Sequence, residues 1–351
     1  RLRAGTPLPA PQTMSEIELH PPAERAPHAA IWTAWPADEE LWLENLAPAQ
    51  AEVAAMVKAL AAPGPDGRPG DKMKVLVHGP TAMLSAEKAI GEHAELIDAS
   101  YGDIWLRDTG PIFYSNDRCA LFTFNGWGGK YVLDYDDQVG AFVAIEAGAD
   151  ATRWDRVLEG GALDWDGEGT ILTTRECLLN PNRNPLMSEM DVKAMLHDAL
   201  GSRVTIWIDR GLLNDHTDGH VDNIARFLAP GVVACQSPSG PDDPHAARLD
   251  EIAAQLENQR DARGRILKVV RIPSPGRVEN EDGDVVPASH MNFLIGNSTV
   301  VVPTYGTPSA QKAVDALKPY FPGRNVVGLP STHILSGGGS FHCITQQQPA
   351  K

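Results

Sequence analysis

The sequence predicts an α/β fold in which five ββαβ units form a pseudo-symmetric propeller, closed by pairing of the N- and C-terminal strands. Two observations support this prediction. The order hairpin, helix, strand recurs along the chain, with roughly 50 to 70 residues between successive turns, as in repeat architectures. A lone strand pattern also lies near each end of the chain. An open sheet would leave both lone strands as exposed edges, which proteins tend to avoid.

The clearest unit lies in the middle of the chain. Residues 161–174 are typical of two short strands around a glycine-rich turn. A helix is predicted over 188–200, because Ser188 and Asp191 have capping-box spacing and apolar residues then recur on one face. The strand pattern at 203–208 completes this unit.

Two units downstream repeat this order, and one unit upstream repeats its hairpin and, more weakly, its helix. In the upstream unit the predicted hairpin is 111–124 and the weaker helix is 136–147. In the first downstream unit the hairpin is 223–237, the helix 244–258 and the strand 267–272. In the second downstream unit the hairpin is 291–304, the helix 308–320 and the strand 326–329. Each hairpin is centred on turn-forming Gly, Pro, Asn, Asp or Ser residues.

The fifth unit is split between the two ends of the chain. Residues 29–35 form a lone strand pattern, followed by a predicted helix at 48–60 and a strand at 73–78. Residues 341–345 are predicted as the other lone strand. Pairing of the two lone strands would complete one hairpin and close the ring.

The charge balance limits the partners of the protein. Thirty basic and forty-six acidic residues give a formal net charge of -16. Such a field repels nucleic acid and anionic lipid and attracts cations. Apolar runs also fall short of the roughly eighteen residues that a membrane span needs. We therefore expect neither nucleic acid nor a membrane as partner.

The cysteines indicate a reducing compartment. Cys119, Cys177, Cys235 and Cys343 are far apart and form no CxxC pair, which argues against a disulfide framework and favours the cytoplasm. Residues 1–13 are rich in proline and alanine and are predicted to be a disordered tail or a non-native remnant, with Met14 as a natural start. Residues 14–351 are predicted to form a single catalytic domain.

Residues with catalytic potential recur at one place in the repeat. Asp108, Glu159 and the pair His220 and Asp222 each come just before a hairpin, and Cys343 opens the split hairpin. In a radial fold these equivalent positions converge on the axis. Each residue alone has an ordinary structural use, as a turn acid, a buried histidine or an inert core cysteine. Their coincidence predicts a central catalytic pocket.

This combination suits a guanidinium substrate. A guanidinium is planar and cationic, and its N–H groups match carboxylates in pairs. Two carboxylates can therefore hold its edges while its central carbon stays open to a thiolate, the most available side-chain nucleophile near neutral pH. A histidine can protonate the departing nitrogen and then deprotonate water. The carboxylates are also expected to raise the pKa of the thiol until a cationic substrate binds.

From about residue 30 to residue 349 the chain resembles the guanidino-group-modifying enzymes of the pentein superfamily, and within them the agmatine deiminase and bacterial peptidylarginine deiminase family. The resemblance rests on six motifs: WLRDTGP at 105–111, FNGWGGK at 124–130, LEGG at 158–161, ECLLNPNRNP at 176–185, TDGHVDN at 217–223 and GGGSFHCITQQ at 337–347. It implies a five-bladed propeller that converts agmatine and water to N-carbamoylputrescine and ammonia, a step towards putrescine. It implies no metal, no organic cofactor and a homodimer.

The resemblance also implies a role for each matching residue. Cys343 corresponds to the nucleophile and His220 to the general acid and base. Asp108 and Asp222 correspond to the carboxylates that hold the guanidinium, and Glu159 to the acid that orients His220.

Substrate binding is implied at a further set of positions. These are Trp105, which would line the methylene chain, together with Asp108, Asp222, His216, Asp218 and Gly339. One position departs from the family pattern, since His216 stands where an acid often holds the distal ammonium. Asp215 or Asp218 is expected to replace that acid, or the preferred distal group differs.

Three alternatives remain open at this point. His216 and His220 have HxxxH spacing with Asp218 and Asp222 nearby, as a metal-dependent hydrolase would require. A propeller without catalysis could instead bind polyamines or proteins. Within the same family, the substrate could be free arginine, a peptidyl-arginine or another small guanidine.

Overall fold

The computed structural model describes residues 20–350, so the predicted tail at 1–13 and the start at Met14 lie outside the described residues. The strands are β1 (His28–Ala34), β2 (Met73–Val77), β3 (Ala94–Asp98), β4 (Ile112–Phe113), β5 (Arg118–Thr123), β6 (Asp150–Val157), β7 (Asp164–Trp165), β8 (Thr170–Thr174), β9 (Val204–Ile208), β10 (Ala225–Ala229), β11 (Val232–Ser237), β12 (Lys268–Pro273), β13 (Leu294–Ile295), β14 (Thr299–Thr304), β15 (Asn325–Pro330) and β16 (Thr345–Pro349). The helices are α1 (Glu39–Trp42), α2 (Leu46–Ala61), α3 (Pro80–Ile90), α4 (Leu106–Thr109), α5 (Gly126–Gly129), α6 (Asp136–Glu146), α7 (Arg175–Leu178), α8 (Glu189–Leu200), α9 (Ala246–Leu256), α10 (Ala310–Leu317) and α11 (Thr332–Ser336). Short 3₁₀ turns lie at Leu43–Asn45, Gly160–Ala162, Val221–Asn223 and Lys318–Tyr320.

These strands form five small sheets. Sheet 1 has the order β16-β1-β2-β3, sheet 2 β4-β5-β6, sheet 3 β7-β8-β9, sheet 4 β10-β11-β12 and sheet 5 β13-β14-β15. In every sheet the first two strands pair antiparallel and the second and third pair parallel. The two terminal strands pair antiparallel in sheet 1, with Ile31 opposite Gln347 and Thr33 opposite Thr345.

Local sequence accounts for the main helices. The capping box predicted for Ser188 and Asp191 is formed at the start of α8, and Gly201 ends this helix in a left-handed conformation with φ of 64°. The apolar residues that recur along α8, such as Val192 and Leu196, are buried. The predicted helices at 48–60, 136–147, 188–200, 244–258 and 308–320 are confirmed as α2, α6, α8, α9 and α10.

Each of these five helices packs between its own sheet and another sheet. Buried residues of α6 join the core of sheet 1, and those of α8 join the core of sheet 2. Helix α9 contacts β9 of sheet 3, α10 contacts β12 of sheet 4, and α2 contacts β14 and β15 of sheet 5. The apolar faces of the helices therefore join the sheets pairwise in sequence order, and α2 links sheet 1 to sheet 5.

Two parts of the fold differ from the prediction. The strand predicted at 341–345 is wrong in position: residues 341–344 form a turn, in which Ile344 N–H donates to Ser340 C=O at 3.2 Å, and β16 begins at Thr345. Cys343 therefore lies in the turn before the strand. Helix α3 and strands β3 and β6 were not predicted; β3 extends sheet 1 to four strands, and β6 completes sheet 2.

Within residues 20–350, helices with the length and apolar character of a membrane span are absent.

Candidate active site

The predicted catalytic residues all lie ahead of the antiparallel pair of a sheet. Asp108 lies in α4, before β4, and Glu159 precedes the 3₁₀ turn that leads to β7. His220 and Asp222 lie at the 3₁₀ turn before β10, and Cys343 lies in the turn before β16. All five side chains are buried.

Three of these side chains surround Gly161. A Cβ atom added to Gly161 would lie 2.6 Å from His220 Nδ1, 2.8 Å from Asp108 Oδ1 and 3.2 Å from Asp222 Oδ2. His220 Nδ1 and Asp108 Oδ1 are themselves 3.8 Å apart. The Gly161 N–H donates to Asp108 Oδ1 at 2.9 Å. A residue without a side chain is thus required where the acids and the histidine meet.

The Cys343 thiol contacts a carboxylate and an amide. Its Sγ donates to Asp222 Oδ2 at 3.5 Å and accepts a hydrogen bond from Asn292 Nδ2 at 2.9 Å. Burial, followed by the charges of Asp222 and Asp108, raises the pKa of the Cys343 thiol well above its ordinary value. The carboxylates act in the direction that the sequence predicts, and burial adds a larger effect in the same direction.

Asp222 makes a hydrogen bond with the imidazole of His342. His342 Nδ1 lies 2.8 Å from Asp222 Oδ2, and His342 Nε2 lies 3.0 Å from Glu24 Oε2. Burial alone would raise the pKa of Asp222, but the hydrogen bond and charge of His342 bring it below its ordinary value. The other oxygen, Asp222 Oδ1, is buried and has no hydrogen-bond partner among residues 20–350. That oxygen is therefore available to a ligand.

Asp108 and Glu159 are held differently. Trp127 Nε1 donates to Asp108 Oδ2 at 2.8 Å, and burial together with the charges of Asp222 and Glu159 raises the pKa of Asp108 well above its ordinary value. Arg183 Nε donates to Glu159 Oε1 at 2.6 Å. Burial still raises the pKa of Glu159, although Arg183 opposes this effect.

His220 is fully buried, and neither ring nitrogen has a hydrogen-bond partner within the described protein. Burial lowers the pKa of His220 to about 3. The imidazole is therefore neutral near pH 7. Glu159 Oε2, which also lacks a hydrogen-bond partner in residues 20–350, belongs to the same cluster of polar atoms.

A cavity of about 340 Å³ opens above Cys343 and Asp108. Its walls include four aromatic residues: Trp42, Trp105, Trp127 and Tyr131. Asp103 joins two of them, since Trp42 Nε1 and Trp105 Nε1 donate to its carboxylate at 3.0 and 2.6 Å. Gly339 also lines the cavity, and a Cβ there would lie 2.7 Å from the Trp105 ring and 3.1 Å from Cys343 Sγ. The cavity is an aromatic channel that ends at a thiol and a carboxylate.

His216 and Asp218 lie away from the Gly161 cluster. His216 lines the cavity, is exposed, and stacks on Tyr131, whose hydroxyl lies 3.0 Å from His216 Nδ1. Asp218 is paired with Lys130 Nζ at 2.6 Å and with Arg183 at 2.5 Å. Because two cations already neutralise Asp218, its carboxylate is poorly suited to bind a substrate ammonium as well. Asp215 accepts hydrogen bonds from Thr217 and Asn223.

The HxxxH metal alternative has little geometric support. Among residues 20–350, the cluster of side chains spaced for a metal ion consists of Glu159, Cys177 and His220, and it leaves out His216.

Sequence reasoning assigned no role to several residues of the site. Trp127 and Arg183 fall inside motifs that the sequence singles out, so their position was signalled but their contacts were not. His342 adjoins the nucleophile in sequence and shares Asp222 with it. Asn292 lies in the predicted hairpin at 291–304 but outside the six motifs, and only the fold brings it to Cys343.

Known proteins share this architecture and sequence. The chain is 39% identical over 363 residues to the agmatine deiminase of Stutzerimonas stutzeri, covering 94% of this chain and 95% of that protein. It is 38% identical over 356 residues to the agmatine deiminase of Pseudomonas aeruginosa, covering 94% and 95%. A solved structure of the agmatine deiminase of Enterococcus faecalis superposes with a TM-score of 0.86 at 32% identity, covering 94% of this chain and 95% of that chain.

A wider family relationship covers the site as well as the fold. Residues 20–349, which include every predicted site residue, match the Porphyromonas-type peptidyl-arginine deiminases. The chain belongs to the Porphyromonas-type peptidyl-arginine deiminase family, and its curated relatives named above are agmatine deiminases.

Proposed function

We propose that this protein hydrolyses agmatine to N-carbamoylputrescine and ammonia through a covalent intermediate on Cys343. The observation that carries this proposal is the arrangement around Gly161, where Asp108, Asp222 and His220 meet within reach of the Cys343 thiol. Relatives named agmatine deiminase, at 37 to 39% identity over nearly the whole chain, support the choice of substrate.

The guanidinium binds between Asp108 and Asp222. Two carboxylates buried in one pocket repel each other, and a planar cation between them relieves this repulsion while its N–H groups donate to both. Asp222 Oδ1, which has no partner in the described part of the chain, accepts one of these hydrogen bonds. The methylene chain of the substrate lies against Trp105 in the aromatic channel, beside Gly339. His216 contacts the distal end of the substrate. Asp218 contributes to substrate binding indirectly, through its ion pairs with Lys130 and Arg183.

Chemistry begins when the bound cation stabilises the Cys343 thiolate. The thiol proton passes to His220, and the sulfur attacks the guanidinium carbon to give a tetrahedral adduct. His220 returns this proton to the departing nitrogen, and the C–N bond breaks. Ammonia is released, and a thiouronium remains bound to Cys343. Glu159, through Oε2, stabilises the imidazolium that forms in this step.

Water completes the reaction. His220 takes a proton from water, and the hydroxide adds to the thiouronium carbon. The C–S bond then breaks as His220 returns its proton to the sulfur of Cys343, and the proton of the added hydroxyl group is lost to the released ammonia, which leaves the neutral ureido product. Each cycle thus consumes one water, releases one ammonia and leaves the enzyme unchanged.

Substrate turnover tests this proposal. Release of ammonia and formation of a ureido group would be measured with agmatine, free arginine and a peptide ending in arginine. We expect kcat/KM to be highest for agmatine. Higher values for the peptide or for arginine would identify another guanidine as the substrate, and no turnover with any of them would contradict deimination.

We infer three further properties that support the same picture. The helix contacts that join the five sheets pairwise, together with the pairing of β1 and β16, favour a closed five-bladed propeller within a single catalytic domain over 14–351. The four free, buried cysteines favour a reducing compartment such as the cytoplasm. The family resemblance favours a homodimer, which light scattering coupled to size-exclusion chromatography would test.

A further inference from the structure

Cys177 lies beside the catalytic histidine and has no part in the mechanism above. It belongs to α7, and both Cys177 and Glu159 are buried next to His220. One ligand atom from each of Glu159, Cys177 and His220 lies within 4.8 Å of those of the other two. A thiol, an imidazole and a carboxylate are therefore grouped in one closed space.

Several buried polar atoms of this group make no hydrogen bonds within residues 20–350. Neither nitrogen of His220 has a hydrogen-bond partner, and Glu159 Oε2 has none within the described protein. Buried polar atoms are nearly always paired, because an unpaired one loses its hydration without compensation. The cluster therefore offers ligand atoms that no other group of the described chain engages.

This donor set suits zinc. Zn²⁺ binds thiolate, imidazole and carboxylate in tetrahedral geometry, and three protein ligands leave a fourth position open. Ligand atoms around zinc lie about 3.3 to 3.8 Å apart, so any pair at the full 4.8 Å would have to move closer by about 1 to 1.5 Å. Arg183 opposes a cation here because it contacts Glu159 Oε1. Asp108 favours one, since its Oδ1 lies 3.8 Å from His220 Nδ1.

We propose that Glu159, Cys177 and His220 form an inhibitory zinc site. Zinc on the imidazole removes the group that carries protons during deimination, so bound zinc silences the enzyme without touching Cys343. This inference rests on the proposed role of His220. The reaction itself uses no zinc, and removal of zinc restores activity.

Inhibition by Zn²⁺ is the first test. Chelator-treated enzyme would be titrated with Zn²⁺ alone and assayed for ammonia release, for the wild type, Cys177→Ala and the control Cys235→Ala, which removes a buried thiol in sheet 4. We expect Cys177→Ala to keep its basal activity and to need roughly 100-fold more Zn²⁺ for half-inhibition, because a ligand is lost. Cys235→Ala should respond like the wild type. Equal sensitivity of all three proteins would overturn the proposal.

Metal binding is measured independently of turnover. Co²⁺ alone would be added to the wild type, Cys177→Ala, Cys177→Ser and Cys343→Ser, and the thiolate-to-cobalt absorption band recorded. We expect the band in the wild type and in Cys343→Ser, and its loss in both Cys177 variants. Cys177→Ser keeps the side-chain volume if Cys177→Ala folds poorly. A band that disappears only in Cys343→Ser would place the metal at the nucleophile and refute the assignment, whichever guanidine the enzyme hydrolyses.

Discussion

The side-chain amide of Asn292 makes hydrogen bonds with both the side chain and the backbone of Cys343. Asn292 Nδ2 donates to Cys343 Sγ at 2.9 Å, and Asn292 Oδ1 accepts from the Cys343 N–H at 3.2 Å. The same Oδ1 accepts from the His342 N–H at 3.0 Å, and Nδ2 also donates to Asn223 Oδ1 at 2.8 Å. A neutral amide thus fixes the turn that carries the nucleophile.

Asn292→Ala should therefore lower kcat far more than it changes KM. The thiol would lose a donor that stabilises its ionised form, and the turn would lose two acceptor contacts, so we expect a loss of about 10- to 100-fold in kcat. Steady-state kinetics with agmatine would measure it. Asn325→Ala, at the start of β15, serves as the control and should behave like the wild type. A change confined to KM would contradict this role.

Cys343→Ser should leave the protein folded and remove nearly all turnover. A hydroxyl is a far weaker nucleophile than a thiolate near neutral pH, and the substitution changes little volume. Turnover and the circular dichroism spectrum would be compared with those of Cys235→Ser, which should stay active. A folded Cys343→Ser protein that kept a tenth of the wild-type activity would rule out the covalent mechanism.

Replacement of the two histidines should separate chemistry from substrate recognition. His220→Ala should lower kcat by roughly 100- to 10,000-fold, the usual contribution of a placed acid and base. His216→Ala should mainly change KM, since His216 lies exposed at the cavity wall against Tyr131. Kinetic constants for agmatine and arginine would be measured for both variants. An equal loss of kcat in His216→Ala would show that this division of roles is wrong.

Gly161→Ala tests the convergence of the site directly. Its methyl group would lie within 3.2 Å of His220, Asp108 and Asp222 and would force them apart. We expect kcat/KM to fall by about 100-fold or more, since misplacement by about 1 Å has effects of this size. Gly64→Ala is the matched control, because a Cβ there meets other atoms only at 3.4 Å. Near-normal activity of Gly161→Ala would contradict the arrangement.

Much of the fold was predictable because its signals are local. The capping residues and apolar face of α8 are read directly from the chain, and the alternating hairpins mark the repeat. Helix α3 escaped prediction because its N-cap is Gly79, which offers no side-chain cap. Strand β3 escaped because it is a half-exposed edge strand of mixed polarity, without the alternation of a buried strand.

The residues of the site also fall into two groups: those that the sequence repeat reveals and those that only tertiary contacts reveal. Asp108, Glu159, His220 and Asp222 could be placed because each precedes a hairpin at an equivalent point of the repeat. Asn292 could not be found, since its contact with Cys343 joins residues 51 apart in sequence and depends on the packing of sheet 5 against sheet 1. The pairing of Asp218 with Lys130 and Arg183 is likewise tertiary.

The ionisation of Cys343 in the free enzyme gives the last prediction. Burial and the charges of Asp222 and Asp108 raise the pKa of this thiol well above its ordinary value. A raised thiol pKa means that the thiolate fraction at pH 7 is smaller than in a free cysteine, and that it grows only as the pH rises. Iodoacetamide, which is neutral, should therefore alkylate Cys343 slowly at pH 7.

A chloroacetamidine should alkylate Cys343 quickly at the same pH, because its amidinium enters between Asp108 and Asp222 and stabilises the thiolate. Mass spectrometry of the peptide that contains Cys343 would follow both reactions from pH 6 upwards, with Cys343→Ser as the control for modification elsewhere. The midpoint for iodoacetamide is expected above the unperturbed value of about 8.5. A midpoint well below about 8.5 would indicate that Cys343 and His220 already form a thiolate and imidazolium pair in the free enzyme. Equal rates for the two reagents would show that ionisation of Cys343 does not depend on a bound cation.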